Sequence, residues 1–180
     1  MPIYIAMLRG INVSGQKIIR MEQLRSSFEA LGFKKVRTYV QSGNVVFTAM
    51  TDAARSLAKR IEARIADEFG FDVPVLLRTA DELGAVVKGN PFLKDEAVDS
   101  SWLYVTFLSD AARGTAAKNL QTPAAPQERY HVRGREIYLC CPNGYGRTKL
   151  SNNAIEKKLG VGATTRNWKS VHALWAMAQH

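Results

Sequence analysis

The sequence predicts an α+β protein: a ferredoxin-like βαββαβ N-terminal half, then a second, partly similar βαββαα half. Three observations predict it. Short β-prone runs alternate with helical patterns along the whole chain. The elements before residue 89 fall in the order strand, helix, strand, strand, helix, strand. Gly89-Asn90-Pro91 then interrupts the pattern near the middle. This places a ferredoxin-like subdomain over 1–88 and a second α+β subdomain over 92–180, the latter ending in two helices.

Ile3 to Leu8 is a compact apolar run closed by Arg9-Gly10, which predicts the first strand. A polar loop, Arg9 to Arg20, follows. Met21, Leu24, Phe28 and Leu31 recur at helical spacing, and Gly32 is the stop. Val36 to Gln41 and Val45 to Ala49 flank Ser42-Gly43-Asn44, which predicts a hairpin. Thr51 or Asp52 would cap a helix with the inner stripe Leu57, Ile61, Ile65 and Phe69, ended by Gly70. Val73 to Arg78 is the fourth strand. Pro74 cannot donate to a ladder, so this strand belongs at a sheet edge.

Asp81 to Lys88 reads as a short helix. Beyond the break, Trp102 to Leu108 is a strand, Asp110 to Leu120 a helix and Thr122 to Gln127 a loop. Arg129 to Val132 and Glu136 to Cys141 form a second hairpin. Asn153 with Glu156 makes a capping box for a helix ending at Gly160. Thr164 or Thr165 would cap the last helix, with the stripe Trp168, Val171, Leu174 or Trp175, and Ala178. The second half repeats the order of the first without a residue-level repeat.

Of the 180 residues, 46% are hydrophobic and 23% charged, which excludes a disordered chain. The formal charge is +9, which favours an anionic partner. Residues 129–169 hold nine Lys and Arg against Glu136 and Glu156, so most of that surplus is local. Cys140 and Cys141 are adjacent, so no disulfide framework exists, and a cytoplasmic location is expected. Nothing calls for a metal or another cofactor. No apolar run is long enough to predict a membrane span.

The stretches Leu8 to Phe47 and Tyr145 to Val171 carry a further signal. The first holds Arg9-Gly10-Ile11-Asn12 and Gln41-Ser42-Gly43-Asn44; the second opens on Tyr145-Gly146-Arg147-Thr148-Lys149-Leu150-Ser151-Asn152. Both resemble the bacterial family known as domain of unknown function 1697. Many members carry Gly-Gly-Lys where this chain has Ser14-Gly15-Gln16. The resemblance implies an α+β fold with ferredoxin-like topology and no established activity.

Three sets of residues are candidates for ligand contact. Arg9, Gly10, Asn12, Gly15 and Lys17 form a basic, glycine-bearing loop between a strand and a helix, where backbone N–H groups can hold an anion. It is not a Walker A loop: Gln16 separates Gly15 from Lys17, and no Ser or Thr follows the lysine. Tyr39, Gln41 and Asn44 flank the hairpin turn. Tyr145, Arg147, Lys149, Asn152, Arg166, Asn167 and Trp168 mix cations with aromatics, as suits base stacking with phosphate neutralisation. The two family-like blocks are expected to share one cleft.

The expected function is binding of a phosphate-bearing anionic ligand, nucleic acid or a phosphorylated small molecule. Two alternatives stand beside it. One is a small phosphate-handling enzyme similar to acylphosphatases, with Arg9 holding phosphate and Asn44 orienting water. The other is an interaction module without a ligand. The two C-terminal helices also admit a helix-turn-helix, with Thr165, Arg166, Asn167 and Lys169 opening the recognition helix, although two packing helices fit the apolar spacing better.

Overall fold

The computed structural model describes residues 1–50, 53–115, 120 and 127–180. They fall into two units, Met1–Ala85 with Ala173–His180, and Val86–His172. Together they hold two four-stranded antiparallel sheets and five α-helices among the described residues.

In the first unit the elements are β1 (Ile3–Leu8), α1 (Met21–Ala30), β2 (Lys34–Tyr39), β3 (Asn44–Thr48), α2 (Ala54–Phe69) and β4 (Val75–Thr79), followed by α3 (Ala80–Lys88). The sheet order is β2-β3-β1-β4, so Pro74 leads into an edge strand as expected. The stripes of α1 and α2 bury Leu24, Phe28, Leu57, Ile61 and Ile65 against Tyr4, Ala6, Leu8, Val45 and Phe47. Phe47 packs edge-on to Phe28 at 5.3 Å and stacks on Phe33 at 4.6 Å. The opposite sheet face, with Ile5, Met7, Val46, Leu76 and Arg78, is buried too. Residues 173–180 complete this unit. Arg37 donates to the Met177 carbonyl at 2.6 Å. A Cβ on Gly84 would stand 2.9 Å from Trp175 Nε1, so glycine lets that ring approach.

In the second unit come β5 (Leu103–Leu108), β6 (Arg129–Arg133), β7 (Glu136–Cys140), α4 (Asn152–Leu159), β8 (Ala163–Asn167) and α5 (Trp168–Met177), the last continuing into the segment that completes the first unit. The sheet order is β6-β7-β5-β8. The pairings of β1 and β5 with their two neighbours match residue for residue. Ile5 lies between Val46 and Arg78, and Val105 between Tyr138 and Arg166. Leu8 N–H donates to the Gly43 carbonyl at 2.9 Å, and Leu108 N–H to the Arg135 carbonyl at 2.8 Å. Arg9 N–H donates to Pro74, and Ser109 N–H to Gly162. The chain therefore contains one strand arrangement twice, with its central strand in the same register.

A shared detail closes the edge strands. Val75 and Thr79 N–H groups are taken by the Glu62 and Glu82 carboxylates at 2.9 and 2.8 Å, so this side of β4 faces away from β1. Leu77 has the same parity, and Arg78 donates to its carbonyl at 2.9 Å. On β8, Arg166 donates to the Thr165 carbonyl at 3.0 Å. A strand edge with its polar groups taken is a poor template for a further strand.

The structure corrects several expectations. The second half is not βαββαα. Ala163–Asn167 is a strand paired with β5, so Thr164 and Thr165 do not cap a helix. Two β-branched threonines beside a two-sided burial pattern favour a strand there. This strand between α4 and α5 also removes the helix-turn-helix. The cap of α4 is Ser151, whose hydroxyl accepts from Ala154 N–H, rather than Asn153. Of the helix expected over Asp110 to Leu120, Ala111 to Arg113 are irregular and Thr115 is helical, while residues 116–119 lie outside the described set. Thr51 and Asp52, expected as caps, and most of the loop at 122–126 lie outside it as well.

Candidate functional site

The loop after β1 is a small hairpin. Asn12 N–H donates to the Lys17 carbonyl at 3.1 Å and Gln16 N–H to Val13 at 2.9 Å. Ser14 and Gly15 both have positive φ, 52° and 73°, as a type I′ turn requires. Asn12 and Lys17 are also left-handed, at 54° and 49°, and so is Val40 in the neighbouring turn, at 50°. Non-glycine residues rarely occupy this region, and for a β-branched residue it is an outlier.

Asn12 joins the loop to the β2–β3 turn. Its amide nitrogen donates to the Ile19 carbonyl at 3.0 Å and the Gln41 carbonyl at 2.8 Å, and its Oδ1 accepts from Ile19 N–H at 2.9 Å. Ile11 and Ile19 anchor the loop in the core at 1% exposure each. Gly43 sits under Ile11, and the Lys17 ammonium donates to the Asp72 carbonyl at 2.6 Å. Thus the first two predicted sets, Arg9 to Lys17 and Tyr39 to Asn44, form one hydrogen-bonded surface at one end of the first sheet. Arg9, Gly10, Asn12 and Tyr39 are half-exposed; Gly15, Lys17 and Gln41 are exposed. Asn44 differs. It is fully buried, and its amide donates to the Tyr39 carbonyl at 2.9 Å and the Ser42 hydroxyl at 3.1 Å. That is a turn clamp, and it argues against Asn44 orienting a water at the surface.

In the second unit, Tyr145 opens a short 3₁₀ turn and its ring lies 5.4 Å from that of Tyr104. Its hydroxyl donates to Asn152 Oδ1 at 3.3 Å. The Thr165 hydroxyl donates to the same oxygen at 2.7 Å and lies 2.7 Å from the Thr106 hydroxyl. Arg147 and Lys149 are exposed on this loop. The Thr148 hydroxyl between them donates to the Glu128 carboxylate, which fastens the loop to the start of β6. Arg166 is buried and donates to the Thr164 hydroxyl at 2.8 Å, and burial pushes its pKa down to about 10. Trp168 is only 7% exposed. Asn167 is exposed, and its Oδ1 accepts from Ser170 N–H at the start of α5.

Sequence reasoning did not reach Val40 or the Thr106–Thr165 pair. The Thr pair had a signal: Tyr104, Thr106 and Leu108 alternate on one face, and a polar residue in such a stripe needs a partner. No group of three His, Cys, Asp or Glu side chains among the described residues could hold a metal. No helix among them is long and apolar enough to cross a membrane.

A family model described as protein of unknown function (DUF1697) matches residues 1–138. That span includes the block from Leu8 to Phe47 and leaves out the block from Tyr145 to Val171. A solved structure of a conserved bacterial protein from Streptococcus pneumoniae is similar over 98% of each chain, with 22% identity and a TM-score of 0.72. At that identity the likeness is one of fold. No curated protein matches the chain.

Proposed function

We propose that this chain, which belongs to the DUF1697 family of proteins of unknown function, binds a phosphate-bearing anionic ligand, with nucleic acid first among the candidates, at the paired loops 9–20 and 40–43. The observation that carries this reading is the left-handed backbone at Asn12, Ser14, Lys17 and Val40. Each such residue costs about 1–3 kcal/mol and persists only where its surroundings hold it. Here Asn12, Ile11 and Ile19 hold it, and the result is a preformed, exposed surface. Between Arg9 and Arg20 the loop carries three cations and no carboxylate. Exposed amides Gln16 and Gln41 beside them suit a polar anionic ligand.

The sheets themselves are unsuited to base stacking of the kind an open four-stranded sheet provides. Tyr4, Ile5, Phe47 and Val46 on one sheet, and Val105, Phe107, Tyr138 and Leu139 on the other, are all buried. Recognition therefore falls to the loops. Fluorescence anisotropy with a labelled single strand of about 20 nucleotides tests this. Binding at low salt should weaken steeply as salt rises, and Lys17→Ala and Arg20→Ala should each reduce the salt slope by about one. Absence of binding at low salt removes nucleic acid. Saturation by a small phosphate compound with little salt dependence would replace it with a small ligand.

A further inference from the structure

We propose that the outer edge of β6 is a docking site for an extended acidic segment of another protein, added there as a further strand. Four strands end the two sheets: β2, β4, β6 and β8. Three of them are protected. On β4 and β8 side chains take edge groups. On β2 a bulge, with Lys35 at a φ of 51°, shifts the register between Lys34 and Arg37. Such a bulge spoils an edge as a template. β6 has neither device. It pairs with β7 without a shift, from Arg129 opposite Cys140 to Arg133 opposite Glu136. The hairpin fixes which of its groups point outward. Gly134 and Arg135 make a two-residue turn, so Arg133 and Glu136 exchange hydrogen bonds, and Arg129 and His131 face β7 in the same way. Tyr130 and Val132 therefore turn their N–H and C=O groups away from the sheet. Among the described residues, nothing bonds to these groups. The window closes at Gly134, whose carbonyl accepts from Ala112 N–H at 3.4 Å.

The strand is held on both faces. On one, Tyr130 and Val132 pack against the apolar cluster that contains Ile137 and Leu139. On the other, Arg133 donates to the Gly89 carbonyl at 2.6 Å. The Phe92 ring lies 5.1 Å from the His131 ring and 5.3 Å from the Arg129 guanidinium. An edge already ordered loses little freedom when a strand is added. Charge identifies the occupant. A second copy of this chain would pair antiparallel about His131, setting Arg129 of each copy opposite Arg133 of the other. Like charges directly opposite are unfavourable. A partner with carboxylates at alternate positions would meet Arg129, His131 and Arg133 instead, and its apolar residues would lie beside Tyr130 and Val132. Two acids stand near these cations. Asp95 lies 3.4 Å from Arg129, but both side chains are about half exposed, so the pair is weak and exchangeable. Glu136 faces Arg133 from the β7 side, opposite to the open edge.

The test is a nitrogen-15 NMR titration of the full chain with an acetylated peptide of alternating glutamate and valine. Tyr130 and Val132 amide shifts should saturate, and exchange of these amides with solvent should slow. Val132→Pro removes an outward N–H and no ladder bond, so it should keep the fold and weaken binding about tenfold. A second measurement leaves the chain unchanged. The peptide N-methylated at alternate residues should lose binding in one parity and keep it in the other, because only one set of its N–H groups faces β6. Equal binding of the two methylated forms overturns the proposal. So does equal binding of a lysine–valine peptide, or the absence of saturation with any of these peptides. Self-association of the chain that Val132→Pro abolishes overturns it in favour of a second copy as the occupant.

Discussion

The two units share a register but differ in what they carry. At matched positions the first has Tyr4, Ala6 and Leu77, and the second has Tyr104, Thr106 and Thr165. The first set lies in a purely apolar cluster. In the second, hydroxyls and an amide link Thr106, Thr165, Asn152 and Tyr145 through the same layer. The loops diverge as well. After β1 stand Arg9 and Gly10; after β5 stand Ser109 and Asp110, whose side chains lie 3.4 Å apart, and the Ser109 hydroxyl also accepts from Gly162 N–H. One scaffold thus accepts a dry core with a basic loop, or a hydrogen-bonded core with a loop that opens on Ser109 and Asp110. The fold determines where loops leave the sheet, and the side chains at those exits decide what they can bind.

The sharpest test of this equivalence is at the two turns. In Gly43→Ala the new Cβ would stand 2.6 Å from Ile11 Cδ1 at a φ of 88°. Denaturation by urea should show a loss of about 3 kcal/mol. Gly134→Ala has a φ of 57° but open space around it, and should cost about 1 kcal/mol. Equal losses would mean that the Gly43 turn is not packed as described.

Alkaline titration separates the units next. Burial pushes Tyr138 up to about 12 from 10.0, with Glu136 adding to it, and Cys141 up to about 12 from 9.0. Both groups are neutral when protonated, so the folded form keeps protons that the unfolded chain releases. Their contribution is complete below about pH 9 and is lost as pH rises towards 12, amounting to about 2 kcal/mol for Tyr138. Urea midpoints should fall as pH rises from 9 towards 12, and should fall less in Tyr138→Phe. A midpoint independent of pH up to 12 would break the assignment.

A double-mutant cycle probes the polar layer. Thr106→Val and Thr165→Val should each cost about 1–1.5 kcal/mol, and the double variant should cost clearly less than their sum, since Thr165→Val strands the Thr106 hydroxyl, whereas in Thr106→Val the Thr165 hydroxyl keeps its bond to Asn152. Strict additivity would show that the pair is not coupled. The smallest effect expected is at Val40. Val40→Gly should relieve its left-handed strain and stabilise by up to about 1 kcal/mol, while weakening anion binding through a looser turn. A variant that is more stable and binds equally well would detach the strain from the site.

Much of the first unit was legible. The β1 span, the α1 and α2 stripes and the edge position announced by Pro74 all follow from periodicity and proline chemistry. β8 was not legible. Ala163 to Asn167 is five residues without large apolar groups, lying before a helix that a threonine could cap. Only pairing with β5 makes it a strand. The internal repeat was hidden for a related reason, because the matched pairs Ala6/Thr106 and Leu77/Thr165 share geometry and little chemistry. Of the site, the glycines and cations of the loop could be read. The bonds from Asn12 to Gln41 and Ile19 could not, since they depend on a close approach of the loop and turn that no spacing encodes.

Residues 173–180 belong to the first unit, where Met177 receives Arg37 and Trp175 lies over Gly84. On the ribosome these residues are joined only after all of Val86–His172 has been made. The first unit therefore lacks this segment throughout the synthesis of its sister unit. Chain order makes the first unit to emerge the last to be completed.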